Sequence, residues 1–310
     1  MSRPESPRAP WWRRALLLVG FASAAWVLTR LDLAAMMDAL ARVSLTSIVA
    51  ATAAMWLNMA LKAVRWQRML RHRGADVPAS LTAPVFFEAM LWGSLTIGRA
   101  GELFRVTPLV DRGVPLRVAL ASVLLDRALD LGFLVVVGAA ALLAATDHAA
   151  LAWAVGGATL ALLVFMGALG RQQRIDDAPP PGRVRLALEE TRAFFYPSAL
   201  LESGLWTVAS WAASFCIVLV LGADLSPEAG AVRLLAAAFI ASLSTLLPIT
   251  YQGVGTREPI FAAVLAADGV DSERAVLLAL LVFTLNLVPV LALGAAAGVW
   301  RRRRAGGGSG

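Results

Sequence analysis

The sequence predicts an all-α polytopic membrane protein, with about six full transmembrane helices and two opposed re-entrant hairpins in an inverted-repeat arrangement. Three observations lead there. The 310-residue chain is 59% hydrophobic and only 16% charged, whereas soluble domains carry about 25% charged residues. Apolar runs close to the roughly 20 residues that span a bilayer recur along its length. The basic residues gather between those runs. This composition excludes a soluble globular or disordered chain. The single cysteine, Cys216, excludes a disulfide scaffold. The net charge of +7 resembles that of a nucleic-acid binder, but the placement of the charges speaks for a membrane and no nucleic acid.

Residues 1–14 form a short basic tail (Arg3, Arg8, Arg13, Arg14), with Trp11 and Trp12 at the expected interface. The run 15–29 follows. No A-x-A-like site stands at its end, so it reads as a retained first helix and not a cleavable signal. Further spans are expected at 46–64, 118–146, 150–170, 198–222 and 275–300. Two more apolar stretches, 80–97 and 231–249, each run into a break rich in glycine, proline and charge. Residues 183–196 read as a short amphipathic helix on the cytoplasmic face. The final GGGSG reads as linker. The expected organisation is a tail at 1–14, a first half at 15–146, a second half at 147–300, and a basic C-terminus with linker at 301–310.

Topology follows from the arginines and lysines, which cytoplasmic loops carry in excess. The stretches 1–14, 62–78, 99–117, 171–192 and 301–304 hold 22 of the 28 basic residues. Residues 62–78 and 99–117 both read as cytoplasmic, yet 80–97 lies between them. The simplest repair has 80–116 enter from the cytoplasm and return to it. In the second half, 223–230 is acidic and poor in arginine, hence external. The last helix ends inside at Arg301–Arg304, so 231–268 enters from outside and returns there. Each half then holds span, span, hairpin, span, and an odd number of crossings relates the halves by inverted topology. Transporters use that layout, with sites where broken segments meet near the midplane. The alternative is eight plain spans. Both place the two termini in the cytoplasm.

The breaks carry the chemistry. The first contains Gly98, Arg99, Gly101, Glu102 and Arg105; the second contains Pro248, Tyr251, Gly253, Gly255, Arg257 and Glu258. Glycine lets the backbone turn or approach closely, and proline removes a donor. Irregular backbone at membrane depth survives only against protein or a water-filled cavity. Its freed N–H groups suit an anion, and Arg99, Arg105 and Arg257 suit a phosphate or carboxylate. Glu102 and Glu258 suit two roles, holding an arginine or carrying a proton. The structural alternative is internal pairing, Arg99 with Glu102 and Arg257 with Glu258. A third cluster, Asp126, Arg127 and Asp130, shares a helix face at a spacing of three to four. Structural pairing and a site role both suit it. Glu88, Glu202 and Asn286 are weaker candidates. Lys62, Arg65, Trp66 and Arg68 read first as an interfacial anchor. His72 and His148 lack metal spacing, and neither a Walker loop nor a nucleophile elbow is present.

Several of these stretches together resemble the lysylphosphatidylglycerol synthase transmembrane, or flippase-like, family. They are Leu61-Lys62-Ala63-Val64-Arg65-Trp66, Gly98-Arg99-Ala100-Gly101-Glu102 with Arg105, Asp126-Arg127-Ala128-Leu129-Asp130, and Pro248 through Glu258. The resemblance covers roughly 15–300, and the G-x-G-x-R-E element after a proline is its most specific part. It implies movement of lipids between leaflets of the bacterial inner membrane. It leaves no residues for the synthase domain of aminoacylating relatives, so lipid aminoacylation is not expected. The expected function is transport of an anionic or polar-headed lipid, with proton linkage through the glutamates as one drive. Two alternatives are a secondary transporter of a small anionic solute and a membrane enzyme acting on a lipid head. The expected partners are the lipid substrate and the bilayer, with a homo-oligomer or a lipid-modifying enzyme as candidate protein partners. No cofactor and no metal are expected.

Overall fold

The computed structural model describes residues 32–145, 197–245 and 253–306. The expected spans at 15–29 and 150–170, the amphipathic stretch 183–196, and Pro248 and Tyr251 lie outside the described residues. Among those described, all regular structure is helical. α1 (Leu33–Ala41) starts at Asp32, whose carboxylate accepts from the N–H groups of Ala34 and Ala35. That satisfies donors a helix start leaves open. α2 (Leu45–His72) starts at Ser44, whose Oγ accepts from Ser47 N at 3.0 Å. α3 (Ala79–Leu95) is followed by a 3₁₀ segment (Ile97–Arg105), α4 (Val106–Val110) and α5 (Leu116–Ala145). Then come α6 (Pro197–Leu225), α7 (Ala231–Ser244), α8 (Arg257–Leu265) and α9 (Ser272–Gly306).

Three stretches among these are long and apolar enough to cross a membrane: Leu45–His72, Ala199–Leu225 and Ser272–Arg303. The 28 residues of α2 reach about 42 Å at 1.5 Å per residue, well past the expected end at 64. α2 and α6 pair antiparallel along their lengths and are tied at both ends. Ser44 N donates to Asp224 Oδ2 at 2.8 Å, and His72 Nε2 lies 2.7 Å from Glu202 Oε2.

Two apolar clusters form the interior. One joins Ala51, Met55 and Met59 of α2 to Ile217 and Leu221 of α6, Phe261 of α8 and Leu278 of α9. The other joins Trp66, Met69 and Leu70 of α2 to Val85 and Phe86 of α3, Leu109 of α4 and Ala119 of α5. α2 therefore serves both. This departs from the expectation of an interfacial anchor: Arg65 and Trp66 are each 0% exposed, whereas the Arg68 side chain is 49% exposed. A helix continuing through a packed interior buries whichever charged side chains face its neighbours, provided they are paired.

The ends of each broken segment lie near one another. Asp268, at the end of the second, accepts from Gly230 N at 3.2 Å and pairs with Arg233 Nε at 2.8 Å. In the first, residues 72–77 and 112–118 face each other across one surface groove. Close by the second, Glu228 bonds Arg274 at 2.8 Å, and that hydrogen bond holds its carboxyl below the usual glutamate range. α9 packs on α3 through Gly294 and Gly298. A Cβ on Gly294 would fall 2.8 Å from Phe87 O, and one on Gly298 3.4 Å from Glu88 Oε1. Small residues four apart allow such close helix contact in membranes.

Candidate functional site

A continuous ion network joins α2, the first break, α5 and α6. Arg65 is its hub. Its Nη1 donates to Asp130 Oδ1 at 2.9 Å and to Thr207 Oγ1 at 2.8 Å, while Nη2 donates to Asp126 Oδ1 at 2.6 Å. Lys62, one turn earlier, reaches Asp130 Oδ2 at 2.9 Å. Arg105 bridges onward, with Nη1 on Asp126 Oδ2 at 2.8 Å and Nη2 on Glu102 Oε2 at 3.0 Å. Its guanidinium also lies 5.2 Å from the Trp66 ring and 5.1 Å from the Phe86 ring, a cation–π arrangement. Glu102 receives two more cations, Arg99 Nε at 2.8 Å and Arg127 Nη2. The predicted Asp126–Asp130 pair thus shares a face as expected. Arg127 pairs across to Glu102.

The first break works by close approach. Glu102 can reach its partners because the return segment lies directly on α3. A Cβ on Gly101 would strike the Trp92 carbonyl, and one on Gly93 would come within 2.6 Å of Glu102 Cγ. Thr96 Oγ1 accepts from Gly101 N at 2.7 Å and donates to Trp92 O at 2.9 Å, fixing the turn. Arg99 has φ 57°, alone among the described non-glycine residues in being positive. A non-glycine residue held there costs of order 1 kcal/mol or more and persists only where its surroundings impose it. The imposed direction carries its guanidinium to Glu102. Gly98 stands just before this turn.

The second break uses the left-handed region twice, at Gly253 (φ 79°) and Gly255 (φ 85°). A Cβ on Gly253 would lie 2.8 Å from Thr245 Cγ2. Ser244 Oγ and Thr256 Oγ1 meet at 3.1 Å across the gap. Glu258 is buried, and its Oε2 accepts from Gly255 N at 2.7 Å. That bond ties the loop to the first turn of α8, where Arg257 is the leading residue. The Arg257 guanidinium packs 4.6 Å from the Phe283 ring of α9.

These parts surround one cavity of about 350 Å³. Lys62, Arg99, Arg127 and Asp130 line it from the first half, and Arg257 and Asn286 from the second. Met59 and Phe86, one from each apolar cluster, also line it. The cavity therefore lies where the clusters adjoin, with cations from both breaks on its wall. Asp130 is its acidic member, and both its oxygens are already held, by Lys62 and Arg65. Glu102, Arg105 and Asp126 stand behind the wall, each at most 4% exposed. Glu258 likewise sits behind it.

The sequence reading placed Arg99, Arg127, Asp130 and Arg257 at one site, and the fold brings them together. Its alternative of Arg99–Glu102 pairing is present as well. Lys62 and Arg65 were assigned elsewhere. Their spacing of three on one helix complements Asp126 and Asp130 on another, and that match was the available signal. Glu88 accepts from Arg301 Nη1 at 2.6 Å away from the cavity, and Glu202 joins His72 and Arg68 at the end of α2. Among the described residues no group of three His, Cys, Asp or Glu side chains is placed to hold a metal.

No curated protein matches the chain. The profile of the lysylphosphatidylglycerol synthase TM region matches residues 15–294. With nearly its whole length covered by that membrane region, the chain belongs to the lysylphosphatidylglycerol synthase TM family.

Proposed function

We propose that this protein moves a lipid with an anionic or polar head between the leaflets of a bacterial inner membrane. The observation that carries the reading is that Arg99 and Arg257, from the two breaks, line one cavity with Lys62 and Arg127. A lipid head needs a polar route while its tails stay in hydrocarbon, and ionisable side chains within a membrane mark such substrate routes. In this reading the halves 15–146 and 147–300 are inverted repeats. The segments 80–116 and 231–268 re-enter from opposite faces, and both termini are cytoplasmic. Glu102 positions Arg99 and Arg127. Glu258 holds the loop that aims Arg257, and either glutamate is a candidate proton carrier.

The experiment is lipid translocation in proteoliposomes, set beside native mass spectrometry of the gently purified protein. Arg257→Ala and Glu258→Gln should abolish transport while the protein still melts cooperatively. Wild type should retain a defined lipid that Arg257→Ala loses. Wild-type transport by both variants would overturn the assignment, and lipid-independent uptake of a soluble anion would move the protein to the small-anion class.

A further inference from the structure

We infer that the cavity is built for a doubly charged phosphate group, a phosphomonoester or diphosphate, and not for a singly charged phosphodiester. This rests on the anion-transport reading and narrows its substrate class. The connected network holds five cations (Lys62, Arg65, Arg99, Arg105, Arg127) against three carboxylates (Glu102, Asp126, Asp130). Two formal positive charges are left over.

Their location matters as much as their number. Arg65 and Arg105 have side chains 0% and 1% exposed and engage all three carboxylates. That set holds two positive charges against three negative ones, and the wall cations add three more positive ones. Lys62, Arg99 and Arg127 have side chains 18%, 43% and 27% exposed, and all three line the cavity. The excess therefore sits on the wall, where a ligand meets it. On the other side of the cavity Arg257 has Glu258 beside it in sequence, and that pair adds no formal net charge. Away from water an uncompensated charge interacts strongly and over a long range, so a ligand carrying two negative charges fits this wall better than one carrying one. A phosphomonoester, with its second pKa about 6, is a dianion at pH 8, and a phosphodiester is a monoanion.

The test is native mass spectrometry of the full-length protein at pH 8, supplied with phosphatidic acid and phosphatidylglycerol of matched chains. Wild type should retain phosphatidic acid over phosphatidylglycerol by about tenfold or more. Arg127→Gln removes one wall charge while Glu102 keeps Arg99 and Arg105, and it should bring the ratio to about one. Arg127→Lys keeps the charge and should keep the preference. Lys62→Gln repeats the charge removal on another helix, should Arg127→Gln fail to fold.

Equal retention by wild type, or a preference unchanged by charge removal, would overturn the dianion inference. Retention lost in Arg257→Ala would still support lipid transport in that case. Displacement of phosphatidic acid by an equal concentration of inorganic phosphate would support the dianion and overturn the lipid source. Retention of neither lipid, with no binding of inorganic phosphate, would overturn both.

Discussion

Arg65 holds Asp126 through two nitrogens on one carboxylate oxygen, Nε at 3.0 Å and Nη2 at 2.6 Å, with the arginine completely buried. The pair joins α2 to α5, and Arg65 Nη1 extends the joint to Thr207 of α6. Removing one member of a buried pair strands the other, at a cost of roughly 3–5 kcal/mol. Arg65→Ala should therefore lower the melting temperature of the detergent-solubilised protein sharply. Arg65→Lys should not restore it, because an ammonium lacks the planar fork that serves three acceptors at once. A melting temperature close to wild type in Arg65→Ala would remove the arginine as the hub.

Gly93 and Gly101 face each other across the first break but differ in what a methyl group meets. At Gly101 it meets the Trp92 backbone, which cannot move without unwinding the end of α3; at Gly93 it meets the Glu102 side chain. Gly101→Ala should abolish transport and cost about 1–3 kcal/mol by overpacking. Gly93→Ala should be milder in stability but should disturb transport through Glu102. Equal tolerance of both substitutions would mean that the return segment does not lie on α3 as described.

Local features of the fold were legible in the sequence because they are written locally. The breaks announce themselves by glycine, proline and charge, and Asp126 and Asp130 share a face because four residues make about one helical turn. The expectation that 231–268 enters and returns on one face rests on charge counting alone. What was not legible depends on which helices touch. Nothing local to Lys62 or Arg65 says that α5 faces them, so two basic residues near the end of an apolar run looked interfacial. Arg127 had Asp130 within helical reach and took Glu102, because the first break folds onto α5. Glu88 and Arg301 are 213 positions apart, a separation no periodicity spans. Gly294 and Gly298 carried a spacing signal for helix contact, without a partner attached to it.

The Glu88–Arg301 pair should fasten α3 to α9. Arg301 also lies 5.3 Å from the Phe104 ring of the first break, so it touches both α3 and the 3₁₀ segment. Glu88→Gln and Arg301→Gln should each destabilise, and the double variant should cost less than their sum. A coupling of about 0.5–3 kcal/mol is expected for contacting residues. Additive losses in the cycle would make the contact energetically idle and leave the glycine packing to hold α9.

The proposed re-entry of the two broken segments makes a prediction about sides. Asp76 and Arg112 flank the first broken segment and line one surface groove, whereas Glu228 and Asp271 flank the second and both bond Arg274. If each segment leaves and re-enters on one face, Asp76→Cys and Arg112→Cys should label together from the cytoplasmic side. Glu228→Cys and Asp271→Cys should label together from the opposite side. Cys216 is exposed and is first replaced by serine, so that each probe is the only thiol. A full crossing by residues 79–110 would instead separate Asp76 from Arg112, and one by 231–268 would separate Glu228 from Asp271. Labelling of Arg112→Cys from the periplasm alone would refute the first hairpin. The inverted arrangement would fall with it, since the halves would then differ in their number of crossings.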